Sequence, residues 1–360
     1  LAAEISDGTG GVGGEILANY SKGDDTNYYF GYALDPGREH DQNILGSDGG
    51  KFIVGGRRKV DDRVSYFGEN SYDLFGRRRT LATNYGVEYK ASDATTYDFA
   101  FELGQVVDPD NGDFDRTAVS FGLRYNSEYT KAKARIEYRK DNGVSSGSTV
   151  DVDTFALSAL AQRRFSENAR MIVSFDGIET VSNNGSTLDG TYVDASIGYA
   201  YRPVNNDKLN LLLRYRFLYD MYGQTVDGIA GAGPVQRSHL LSIDTSYDLN
   251  QKWTLGGKLG YRVADTASDS FGGLTSNNAG LAILNARYHL VHEWDLLLEG
   301  RVLWQEQTKT TQTSILGAAY RHVGNNLKIG VGYNLGTFSD DLNDLVHDDK
   351  GIFLNVVARF

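Results

Sequence analysis

The stretch Lys208-Leu-Asn-Leu-Leu-Leu-Arg-Tyr-Arg-Phe-Leu-Tyr-Asp-Met-Tyr222 decides how this chain is read. Leu209, Leu211, Leu213, Tyr215, Phe217, Tyr219 and Met221 fill one set of alternate positions, and Asn210, Leu212, Arg214, Arg216, Leu218 and Asp220 fill the other. Successive side chains of a strand point to opposite faces, so the stretch predicts a strand with one face suited to hydrocarbon and one suited to water.

The same split recurs along the chain. Trp253, Leu255, Leu259, Tyr261 and Val263 oppose Thr254, Lys258 and Arg262. Trp294, Leu296, Leu298, Val302 and Trp304 oppose Asp295, Glu299 and Arg301, and Tyr97, Phe99, Phe101 and Leu103 oppose Asp98 and Glu102. Short polar turns are expected near residues 22–25, 60–63, 90–95, 126–128, 166–168, 203–207, 248–251, 289–293 and 322–326. Longer Gly/Asp/Ser/Asn-rich connections are expected over 34–50, 107–115, 141–148, 181–188, 223–234, 265–277 and 339–349. The region 1–80 has the least defined register, because Gly-rich stretches and the run Arg77, Arg78, Arg79 interrupt the alternation.

Composition agrees with many strands. The 360 residues include 42 Gly, 23 Tyr and 16 Phe against 4 Pro and 2 Met, and they are 40% hydrophobic and 23% charged. No window reaches the ~18 uninterrupted apolar residues of a membrane-spanning helix. With no cysteine, disulfides, thiolate metal sites and cysteine nucleophiles are excluded. A net charge of -11 argues against nucleic acid as a partner. The chain starts at Leu1 without a leader-like segment, which reads as a mature chain or a piece of a longer one.

Short turns on one rim and long loops on the other, with alternating strands between, are the asymmetry of a transmembrane antiparallel up-and-down β-barrel in a bacterial outer membrane. Aromatic residues bracket the short turns: Tyr89 and Tyr97, Tyr125, Tyr201, Tyr247 and Trp253, Tyr288 and Trp294, and Tyr320. An amphipathic ring favours the headgroup level, so these are the candidate lipid-interface girdle. Even strand numbers in single-chain barrels lead to an expectation of about 18–20 strands, with 20 favoured. All 360 residues are read as one barrel domain, residues 1–13 forming a weak first strand or a linker from a missing N-terminal region.

The last segment, Gly351-Ile-Phe-Leu-Asn-Val-Val-Ala-Arg-Phe360, resembles the C-terminal signal of outer-membrane proteins, with Phe360 as its terminal aromatic. That resemblance implies the barrel-assembly machinery as a partner. Gly198–Tyr215, Gln236–Ser242, Trp253–Lys258, Tyr288–Asp295, Tyr320–Gly324 and Lys328–Leu342 are similar to a family of bacterial barrel domains often found at the C-terminus of large multidomain surface proteins. The resemblance covers roughly residues 50–360 and implies a barrel that anchors or exports whatever precedes it. Outer-membrane lipid, lipopolysaccharide and an N-terminal or separate surface partner are therefore the expected contacts.

The inward row supplies the candidate functional residues: Arg124, Arg135, Arg139, Arg214, Arg216, Lys258, Arg262 and Arg301, with Glu102, Glu137, Asp244 and Glu299; Arg321 is placed in the same row. Two readings stay open for them. They line a pore and tune ion selectivity, or they pair across neighbouring strands and satisfy one another. Asp108, Asp110, Asp113 and Asp115 surround a Gly turn in the manner of a Ca²⁺ loop but lack the downstream Glu, so an acidic turn is the plainer reading. No nucleophile–base signature and no phosphate loop is present, and neither enzyme activity nor a cofactor is expected. Three functions remain: an anchor or translocation barrel for a surface protein, a porin-like passive diffusion channel, and a soluble all-β protein or barrel enzyme.

Overall fold

A computed structural model describes residues 2–8, 11–34, 50–73, 79–108, 112–145, 148–184, 190–206, 208–226, 229–267, 272–291, 293–324, 327–336, 342 and 350–359. Among the described residues, apart from a 3-10 turn at Val204–Asn206, the regular structure is all β. The first seven strands are β1 (Ala2–Gly8), β2 (Gly11–Lys22), β3 (Thr26–Leu34), β4 (Gly50–Lys59), β5 (Val64–Asp73), β6 (Arg79–Lys90) and β7 (Thr95–Asp108). The middle ones are β8 (Gly112–Asn126), β9 (Thr130–Ser145), β10 (Ser148–Arg164), β11 (Ala169–Ser182), β12 (Gly190–Tyr201), β13 (Leu209–Val226) and β14 (Ile229–Asp248). The last are β15 (Trp253–Ala267), β16 (Thr275–Ser276), β17 (Ala279–Val291), β18 (Trp294–Gln305), β19 (Thr310–Val323), β20 (Leu327–Asn334) and β21 (Gly351–Arg359).

Among the described residues these form one 21-stranded antiparallel sheet, from which the two-residue β16 branches by pairing only with β15. Leaving β16 out, a ring of 20 strands remains, each paired with its chain neighbours. The ring closes where β1 pairs with β21, from Ala2↔Arg359 to Asp7↔Leu354. Closure gives every strand of the ring a partner on both sides among the described residues, the condition a sheet must meet to sit in hydrocarbon.

The tight turns are built by the side chains that begin them. Asp61 Oδ1 accepts the backbone N–H of Arg63 at 2.7 Å and of Val64 at 2.8 Å, and Asn250 Oδ1 accepts those of Lys252 and Trp253 at 2.8 and 3.1 Å. Ser92 and Ser127 do the same with their hydroxyls. Each side chain replaces a backbone acceptor, which lets the chain reverse within a few residues. Each of the nine positions expected to turn falls where one described strand gives way to its antiparallel neighbour, residues 207, 292 and 325–326 lying outside the described residues.

The opposite rim differs from expectation in one respect. The sequence of 107–115, 141–148 and 223–234 reads as loops, yet β7 and β8 pair as far as Asp108↔Gly112, β9 and β10 as far as Ser148↔Ser145, and β13 and β14 as far as Val226↔Ile229. The last hairpin runs past a bulge between Met221 and Gly223, and its strands have 18 and 20 residues, about twice the 9–11 that cross a bilayer. Beyond the hydrocarbon both faces of a hairpin are wet, so its sequence loses the alternation although its backbone ladder continues.

The two faces are sharply sorted. Outward lie large apolar side chains in the open, such as Leu284 at 74% and Leu298 at 61% exposure. A soluble protein has no means of tolerating a belt of this extent. The belt's height follows from β14: Tyr247 marks its lower edge and Arg237, paired with Asp265 at 2.8 Å, its upper edge. Ten residues at ~3.3 Å each, tilted by ~45°, rise about 23 Å, close to the ~25 Å apolar band of outer-membrane barrels.

Candidate functional site: the inner wall

Alternation places the charged residues of neighbouring strands on one inward surface, where register brings opposite charges together. Arg116 forks onto Asp141 with Nε–Oδ1 at 2.8 Å and Nη2–Oδ2 at 2.9 Å, both residues being buried. Arg216 forks onto Asp194 in the same way, at 2.8 and 2.6 Å. Glu137 accepts from Arg135 at 3.3 Å and Arg139 at 2.9 Å, and Glu88 sits between Arg57 and Arg124. Arg301 Nε donates to Glu299 at 2.6 Å. Planar guanidinium forks match carboxylates bidentately, so the Arg116–Asp141 and Arg216–Asp194 pairs tie neighbouring strands together, while the contacts of Glu137 and of Glu299 run along a single strand.

The other inward candidates lie in the same surface. Lys258 stands opposite Asp244, Glu102 opposite Asn84, and Arg214 opposite Ser242. Arg262 is buried and donates from Nη1 to the carbonyl of Leu342 at 3.0 Å. Towards the short-turn rim, Asp295 lies between two imidazoles, His289 Nδ1 at 2.6 Å and His322 Nε2 at 3.0 Å. A cavity of about 680 Å³ opens against the wall, and its charged lining is balanced: Arg57, Arg124, Lys133 and Arg135 against Glu69, Glu88, Asp98 and Asp176.

The aromatic residues divide eight to one. Tyr89, Tyr97, Tyr125, Tyr201, Tyr247, Trp253, Tyr288 and Trp294 share the outward face, with the Trp253 and Tyr288 rings 4.6 Å apart. Tyr320 does not belong with them. It pairs with Asp295 and Gly330 on the inward face, close enough to Gly330 that a Cβ there would lie 2.3 Å from its ring, and Lys328 Nζ stands 4.6 Å over that ring. Arg321, expected inward, is outward, its guanidinium 5.5 Å from the Trp294 ring centre. Both corrections have one cause: a strand shifted by one residue exchanges its two faces, and β19 is held by pairing Trp294 with Arg321.

Of the acidic candidate, Asp113 and Asp115 lie on the β7–β8 ladder opposite Val107 and Gln105, while Asp110 and the side chain of Asp108 lie outside the described residues. Phe360 lies outside them too. Among the described residues, no group of three or more His, Asp or Glu side chains is arranged to hold a metal. The polar upper collar is better defined: Tyr261 donates to Glu306 at 2.6 Å, and that hydrogen bond, with a second from Asn278, holds the Glu306 carboxyl below its usual range.

No protein-family model and no curated protein matches the chain. Solved structures do. The copper transporter OprC matches 99% of this chain and 71% of its own, at TM-score 0.52 and 11% identity. The siderophore receptor PirA from Pseudomonas aeruginosa matches 100% of this chain and 79% of its own, at TM-score 0.51 and 9% identity. Identities this low speak for a shared fold alone. Together with the closed ring, the exposed apolar belt and the charged interior, the assignment follows. This chain is an outer-membrane β-barrel. Its outward belt is the lipid face and its inward surface the lumen wall, an arrangement that only a bilayer accommodates.

Two features of this barrel stand outside the sequence expectations. Tyr29 donates to Glu69 at 2.8 Å from the inward face, and a group of apolar residues interrupts the polar wall around Leu281. A signal existed for the second. In Ala279-Gly-Leu-Ala-Ile-Leu284 both alternate rows are apolar or small, as expected of a strand that is dry on both faces.

Proposed function

We propose that the barrel is a membrane anchor and translocation barrel for a surface protein. The observation that carries this reading is the lateral pairing of the lumen charges, most clearly the Arg116–Asp141 and Arg216–Asp194 forks. Charges locked in bidentate pairs stiffen a wall and are poorly placed to draw ions through it. In this reading the apolar belt contacts outer-membrane lipid, the polar collar meets lipopolysaccharide, the barrel-assembly machinery inserts the chain, and the surface partner is an N-terminal or separate polypeptide. Nothing in this role requires a catalytic group.

A second reading, a porin-like passive diffusion channel, draws support from the charged, water-suited interior and the 680 Å³ cavity within it. Purified barrel in a planar lipid bilayer separates the two. The anchor is expected to give no stable large conductance steps at moderate voltage. Regular large steps with a defined ion preference would overturn it in favour of the channel.

A further inference from the structure

Two aromatic side chains stand on the inward face where the alternation calls for polar ones. Tyr29 of β3 and Phe67 of β5 each lie across the glycine paired with them on the next strand: a Cβ on Gly55 would meet the Tyr29 ring at 2.5 Å, and one on Gly86 would meet the Phe67 ring at 2.2 Å. Glycine clears the space that the ring takes, so each ring lies along the wall and turns its other face to the cavity of about 680 Å³ that both residues line. The Tyr29 hydroxyl donates to Glu69 at 2.8 Å, which fixes the orientation of that ring.

The polar groups around the rings decide what kind of molecule can cover them. The cavity carries four cations and four carboxylates, so a cationic ligand meets Arg57, Arg124 and Lys133, an anionic one meets Glu69, Asp98 and Asp176, and net charge of either sign is disfavoured. A hydroxyl both donates and accepts, and it satisfies guanidinium and carboxylate alike. Asp98 and Asp176 are open to such donors, since neither accepts a hydrogen bond from another side chain among the described residues. A pyranose ring meets both demands at once, with a face of C–H groups that stacks on an aromatic ring and a rim of hydroxyls. The cavity is also of a size, within roughly 300–1,000 Å³, that suits small-molecule sites.

We infer that this trough is a saccharide site, in which Tyr29 and Phe67 are stacking platforms for a neutral linear oligosaccharide and the flanking charged groups hold its hydroxyls. Tyr29, Phe67, Asp98 and Lys133 each follow the first residue of their strand by three positions, which puts the site at the short-turn, periplasmic end of the lumen. The inference goes beyond the anchor reading and does not rest on it, because a site on the wall is available whether or not the lumen conducts.

The test is calorimetric titration of the full-length barrel, refolded in a detergent without a sugar headgroup, with maltohexaose, cellohexaose and the hexamer of N-acetylglucosamine; spermidine and hexaglutamate serve as charged comparisons. At least one of the three saccharides is expected to bind saturably, and Phe67→Ala and Tyr29→Ala are each expected to weaken that binding by about tenfold. Tyr29→Phe keeps the platform and should stay within about threefold of the parent. Tyr320→Ala removes an inward ring seated on Gly330 outside the cavity and should leave the affinity unchanged. Should an alanine variant lose its heat-modifiable gel mobility, Phe67→Leu, which fills similar space without a ring, takes its place. No saturable binding of any of the three saccharides, an affinity that survives loss of both rings, or binding of spermidine or hexaglutamate alone would overturn the inference. Conductance does not enter this readout, so its failure and that of the anchor are told apart.

Discussion

Chain neighbours Ile315 and Leu316 provide the sharpest test of the two-faced wall. Ile315 is 53% exposed on the outward face, and Leu316 points inward, opposite Glu299 and Asn334. Ile315 lies six residues above Arg321, the partner of the interfacial Trp294. At ~3.3 Å per residue and ~45° tilt, that is about 14 Å above the headgroups, near the middle of a ~25 Å band. An arginine at midplane costs about 2–4 kcal/mol, whereas one beside a carboxylate in a wet lumen costs little. Ile315→Arg is therefore expected to destabilise by about 3 kcal/mol, a factor of roughly a hundred in the folding equilibrium. Leu316→Arg is expected to stay within about 1 kcal/mol of the parent. Reversible guanidinium unfolding in lipid vesicles, followed by tryptophan fluorescence, measures both. Equal losses, or a larger loss for Leu316→Arg, would refute the assignment of faces and with it the membrane reading.

Two further outcomes are expected. Arg116→Ala removes both hydrogen bonds that the buried Asp141 carboxylate accepts from Arg116 and should cost about 3 kcal/mol, while the double change Arg116→Met with Asp141→Leu should recover most of that loss in the same unfolding assay. In the turn after β4, the backbone N–H groups of Arg63 and Val64 hold the Asp61 carboxyl below its usual range. A carboxylate whose folded value lies below its unfolded one adds stability above the unfolded value, and that stability is lost as pH falls through the folded one. Acid unfolding profiles of the parent and of Asp61→Ala should thus converge below about pH 4 and separate above it; parallel profiles across that window would exclude the turn as the cause.

Much of the architecture is legible from periodicity. In β13 the row from Leu209 to Tyr219 faces lipid, and the turn residues Asp61, Ser92, Ser127 and Asn250 sit where the chain reverses. These are local properties: alternation follows from strand geometry, and an Asx or Ser turn closes within four residues. The extended hairpins escaped because water on both faces removes the alternation that marks a strand. The faces of Tyr320 and Arg321 are not legible in the sequence because aromatic character beside a turn fits either face, and only the pairing of β19 with β18 chooses between them.

Residue order alone determined that the strands alternate, where they turn tightly, and that oil and water meet across them, since each depends on neighbours within a few positions. Which strand meets which at the closing seam, which arginine finds which carboxylate, and that Arg262 reaches the Leu342 carbonyl depended on the folded barrel. Those contacts join residues tens to hundreds of positions apart, as Ala2 and Arg359 are joined, and only ring closure brings them within bonding distance.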